Sequence, residues 1–124
     1  MTRFRPGHRR VEDAGMVIVE TAIAIPVLVI AAVTLVWAVG VATSAVALGD
    51  ACGRVAREVS RGADAAAVVA DVRADRPMAT FEFIDLDGDV RVVGRERVSA
   101  PGFLSGFAFT ITRTVVAARE WTSA

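Results

Sequence analysis

The sequence predicts an α+β protein. One long N-terminal helix would cross a membrane and continue as a stalk, followed by a short second helix and an antiparallel meander of about three strands packed on the stalk. Three observations predict it. From Gly15 to about Leu48 the chain is almost wholly apolar, with no charged side chain between Glu20 and Asp50. From Asp50 the apolar residues recur at helical spacing among arginines and acids. Beyond Pro77 the repeat shortens to two, the period of a strand.

The apolar run fixes the first element. A helix over it rises roughly 40 Å at about 1.5 Å per residue, more than the ~30 Å hydrocarbon thickness of a bilayer. Arg3, Arg5, Arg9 and Arg10 precede the run and mixed charges follow it, so the N-terminus is expected on the cytoplasmic side. Residues 1–15 hold Arg, Pro6, Gly7 and His8 without apolar periodicity and read as an unstructured cytoplasmic leader. The transmembrane helix then covers 16–48, beginning near Met16. Pro26 lies inside it, where a missing backbone N–H predicts a kink. Gly40, Ala42, Ser44 and Ala45 offer small surfaces where another helix could approach.

In DACGRVAREVSR, Ala51, Val55 and Val59 recur every four residues, so the helix should leave the membrane as an amphipathic stalk over 49–76. Gly62 can end it. Asp64 can cap a second short helix from Ala65 to Ala74, stopped before Pro77.

The head, 77–124, is predicted from TFEFIDLDGDVRVVGRERV, in which Asp87-Gly88 has the chemistry of a type I′ hairpin turn. Pairing Leu86 with Asp89 sets Phe83 against Val92, Phe81 against Gly94, Asp85 against Val90 and Ile84 against Arg91. Glu82 then lies diagonal to Arg91 and Arg95. After the loop SAPGFLSG, Phe107, Phe109 and Ile111 alternate with Ala108, Thr110 and Thr112, predicting a third strand whose aromatic face covers the amphipathic helix.

Composition excludes several functions. Acids and arginines balance at 14 each, leaving no basic stripe for nucleic acid. The single histidine, His8, lies in the leader, so a nucleophilic dyad or triad in the head would lack its base and a zinc site its commonest nitrogen ligand. No glycine-rich phosphate loop opens a helix, and no cofactor or small-molecule substrate is implied. The loop Asp85-Leu86-Asp87-Gly88-Asp89 alternates acids as a calcium loop would, and Glu96 falls at the twelfth place. Val90, however, stands at the sixth, where that loop needs glycine. The hairpin turn is preferred and no metal is assigned. Cys52, the only cysteine, has no internal disulfide partner, and Gly49 stands where a lipobox wants an aliphatic residue; a buried thiol near the membrane surface is expected.

Glu20 is the outlier. A carboxylate within an apolar helix costs about 2.5–3.5 kcal/mol near the bilayer centre and less toward the edge, so such residues usually mark function.

The stretch Gly15-Met16-Val17-Ile18-Val19-Glu20, followed by an unbroken apolar helix, resembles the processing site of type IV prepilins. The resemblance implies cleavage between Gly15 and Met16 by a prepilin peptidase on the cytoplasmic side, and an assembly role for Glu20, which would attract the free amine of a neighbouring subunit. More narrowly, VETAIAIPVLVI, with proline six residues after the glutamate, is similar to the TadE family, the minor pseudopilins of tight-adherence (Flp) pili. Two departures stand out: Met16 occupies a place where phenylalanine or a small residue is commoner, and Glu12 and Asp13 dilute the charge before the cut. The family would imply a pilin-like fold and a structural, non-enzymatic role in the bacterial cytoplasmic membrane or on the cell surface. Its partners would be the bilayer, other pilin or pseudopilin subunits, prepilin peptidase and the Tad secretion machinery. Two other readings stay open, an unprocessed single-span anchor and a soluble binding domain secreted after cleavage at Ala45-Val46-Ala47.

Overall fold

A computed structural model describes residues 9–119. In chain order it contains helix α1 (Arg9–Ser60), helix α2 (Ala65–Asp75), strands β1 (Ala79–Leu86) and β2 (Asp89–Ser99), a single 3₁₀ turn (Gly102–Leu104) and strand β3 (Ala108–Ala118). The predicted α+β class, with a long first helix, a short second one and a three-stranded antiparallel sheet, is what the chain adopts. Contacts divide it into two compact units, one up to Ala38 and one from Val39 onward.

The first unit is helix. α1 is already helical at Arg9, so residues 9–15 are not the unstructured leader predicted from composition; residues 1–8 lie outside the described part. Arginine, glutamate and alanine propagate a helix cheaply once it is nucleated, and the one glycine, Gly15, costs only about 1 kcal/mol. Pro26 sits within this helix without ending it. The hydroxyls of Thr21 and Thr34 donate to the carbonyls of Val17 and Ile30, each at 2.8 Å, so these polar groups are satisfied by their own helix.

In the second unit α1 ends at a glycine. Gly62 takes φ +92°, its N–H donates to Val59 O and the Ala63 N–H to Glu58 O, the paired bonds of a Schellman cap. Asp64 then caps α2 as predicted, its carboxylate accepting from the N–H groups of Ala66 and Ala67. At the other end the Arg76 N–H closes on Val72 O, just before Pro77.

The sheet order is β1-β2-β3, all antiparallel. β1 and β2 pair in the register set by the two-residue turn: Leu86 with Asp89, Phe83 with Val92, Phe81 with Gly94. The turn type differs from the prediction. Type I′ needs positive φ at both central residues, yet only Gly88, at +89°, has it. A Cβ penalises that region, so Asp87 stays at negative φ and glycine alone carries the reversal, the sign pattern of a type II turn.

One face of the sheet meets the helices. Leu48, Cys52, Val55 and Ala56 of α1, Val68 and Val72 of α2, and Ala79, Val90 and Val92 of the sheet form the buried core. Full burial of Leu48 alone is worth about 1.5–3 kcal/mol. α1 crosses the central strand at Gly94, where a side chain's Cβ would run into Cys52 Sγ and come 3.3 Å from Leu48 Cδ1. Here the third strand corrects the prediction. Its contacts to the core come from Ile111, Val115 and Ala117, whereas Phe107 and Phe109 remain 69% and 41% exposed. The helix covers the middle of the sheet and leaves Phe107 exposed.

Candidate functional site

The strongest candidate is the apolar part of α1. Every residue from 15 to 32 is exposed, Met16, Ile18, Leu28 and Ile30 among them. This stretch is apolar and bare on all sides, a surface compatible with a single membrane span. Length and composition make α1 one helix able to cross a membrane.

Glu20 sits on this surface, exposed, one turn after Met16. The i, i+4 spacing puts Met16 and Glu20 on one face of the helix. Around Gly15 the helix is open, since a Cβ added there would meet nothing within 4 Å. Gly15, Met16, Glu20 and Pro26 therefore all fall on one continuous helical segment in the first unit. Asp87 and Gly88 belong to the second unit, at the β1–β2 turn.

No protein family model matches the chain, and no curated protein and no solved structure matches it.

The second unit holds polar features within its own fold. Arg113 lies on the helix-facing side of β3, opposite Gly94, and its Nε donates to the Ala45 carbonyl at 3.2 Å. This draws Ala45, one of the small residues expected to admit a neighbouring helix, into the unit's own buried interior. Gly40 and Ala42 stay exposed. Arg76, at the C-terminal cap of α2, pairs with Glu96 on β2, with their side chains only 20% and 15% exposed. Both pairs join residues far apart in sequence. The sequence did carry a trace of them, because Glu96 and Arg113 occupy inward positions of alternating strands and so require partners.

Elsewhere the charges pair at the surface. Arg54 joins Glu58 at 2.9 Å and Asp71 at 2.6 Å, tying α1 to α2. The Glu58 hydrogen bond, followed by the charge of Asp71, holds its guanidinium above the ordinary arginine value. Arg95 reaches Glu82 at 2.9 Å across the β1–β2 ladder, and Arg119 meets Asp85 at 2.6 Å. Cys52 is fully buried; burial pushes its thiol pKa up, which makes it a poor nucleophile. Among the described residues no three histidine, cysteine or acidic side chains gather to hold a metal ion.

Proposed function

We propose that this chain is a structural, pilin-like subunit of the bacterial cytoplasmic membrane, a minor pseudopilin of the TadE kind that assembles with or primes a tight-adherence pilus. One observation carries the reading. Glu20 is the single charge between Gly15 and Leu48, and it lies in the part of α1, residues 15–32, that is bare on every side. An acid in that setting gains most by meeting a cation in the same low-dielectric layer, and the amine of a neighbour's Met16, freed by cleavage after Gly15, supplies one.

On this reading the N-terminus is cytoplasmic, the span starts near Met16 and the strand-rich part is extracytoplasmic. Assembly is driven by packing like helices against one another, with other pilin subunits, prepilin peptidase and the Tad machinery as partners. The role is structural and involves no catalysis. Secretion after cleavage behind Ala47 is disfavoured by packing. It would remove Ala45, whose carbonyl holds Arg113, and would leave Leu48 of the core at a new chain end.

Two measurements test the proposal. Intact mass of the membrane-extracted protein should show loss of residues 1–15; full length supports a plain anchor, and loss of about 47 residues supports a signal peptide. Glu20→Ala should leave membrane insertion intact and reduce co-purification with partner subunits. Unchanged assembly removes the role given to Glu20.

A further inference from the structure

The sheet has one face on which no helix of the second unit packs. Side chains alternate across a sheet, and every strand residue in the core or packed against it, Val90, Val92 and Ile111 among them, lies on the face toward α1 and α2. The opposite face carries Ile84, Arg91 and Val116 in one cross-strand row, and Glu82, Val93 and Thr114 in the next. The uncovered face of an antiparallel sheet is ordinarily polar. Here Ile84 and Val116 are apolar and 37% and 49% exposed, and Leu86 follows Ile84 on the same face.

Arg91 stands between Ile84 and Val116. Its Nε is buried and finds no acceptor among the described residues. A buried donor without an acceptor costs free energy, and the side chains of its two cross-strand neighbours are hydrocarbon. Arg95, on the same face, is already held by Glu82 at 2.9 Å. The outer face therefore combines an apolar row with a cation that lacks part of its hydrogen bonding.

Width and charge select what fits there. Three strands about 4.8 Å apart make a face roughly 10–14 Å across, which matches the ~10–12 Å width of one helix. A second copy of the sheet is the wrong occupant. Two such faces stacked on each other would bring Arg91, Arg95 and Arg97 of the central strand against the same arginines.

We propose that this outer face docks an amphipathic helix of another protein whose apolar stripe carries a carboxylate. Ile84 and Val116 receive the stripe, and the Arg91 guanidinium receives the carboxylate. An arginine in apolar surroundings is well suited to anchor an interface, because its partner supplies a missing hydrogen bond as well as opposite charge. The inference uses the second unit alone, so it stands or falls apart from the membrane span and from the role of Glu20.

Full-length protein in detergent micelles is titrated with a fluorescent amphipathic helical peptide whose leucine stripe is interrupted by one glutamate, and with its glutamine twin. Empty micelles give the background. Anisotropy should show the glutamate peptide binding several-fold more tightly than the twin. Arg91→Met, which keeps the aliphatic stem, should abolish that difference without lowering the denaturation midpoint. Val116→Asp, which sets a carboxylate directly across from Arg91, should abolish it as well. Equal binding of the two peptides, no binding of either, or a preference that survives Arg91→Met overturns the inference. Self-association of the native chain that Arg91→Met disrupts also overturns it, since a second copy would then be the occupant.

Discussion

Gly94 lies directly beneath Cys52. The central strand carries no side chain at the one point where α1 crosses it, and the thiol fills the space a Cβ would occupy. This pairing sets how closely helix and sheet approach.

Gly94→Ala forces the two elements apart and should lower stability by about 1–3 kcal/mol, the usual range for overpacking. Cys52→Ala removes the obstructing sulfur. The double variant Cys52→Ala/Gly94→Ala should therefore recover part of the loss, giving a coupling energy above ~0.5 kcal/mol in a denaturation cycle. Strict additivity would show that the two residues do not share this space.

Burial raises the Cys52 pKa in the folded protein. The unfolded chain then loses its thiol proton first, so the stabilising contribution is complete below the unfolded value, near pH 8.5, and is lost as pH rises through the folded value. Denaturation midpoints should fall above about pH 8.5 more steeply for the native chain than for Cys52→Ala. A thiol reagent should modify Cys52 in denaturant and barely react with it without denaturant.

The Arg76–Glu96 pair is largely shielded from water. Glu96→Ala leaves the Arg76 charge facing the interior and should cost about 1.5–3 kcal/mol, whereas Glu82→Ala, which removes the exposed partner of Arg95, should cost less than about 1 kcal/mol. Urea denaturation of the two variants measures the difference.

At the hairpin, Gly88→Ala should cost about 1–2 kcal/mol because Gly88 sits at φ +89°. Asp87→Ala should stay within about 0.5 kcal/mol, since that residue keeps negative φ. Equal losses at both positions would restore the type I′ assignment.

Local rules made much of this architecture readable. Asp64 and Gly62 are helix-terminus residues whose roles depend on neighbours a few positions away, and the caps formed where those residues stood. The β1–β2 register followed from a two-residue turn plus a period of two, because a one-residue slip would turn Phe81 and Phe83 to the wrong face. What could not be read depended on distant contacts. The sequence shows Phe107, Phe109 and Ile111 as one inward row, but only the line taken by α1 decides that Ile111 is covered and Phe107 is not. Arg113 falls in the same inward row, but only the fold supplies its partner, the Ala45 carbonyl. Of the candidate site, the apolar run and its lone acid were fully visible in the sequence, while the helical state of residues 9–15 was hidden by the nearby Pro6 and Gly7.

The Arg113–Ala45 hydrogen bond also bears on the order in which the chain can fold. It joins residues 68 apart in sequence. α1 and α2 can form while they are being synthesised, but the Ala45 carbonyl has no side-chain partner until β3 has been made. A ribosome-bound chain ending before Arg113 would lack that partner, and β1 and β2 would lack their third strand. Folding of the second unit therefore waits on β3, and a product that stops short of that strand would present its apolar helix face to chaperones and proteases.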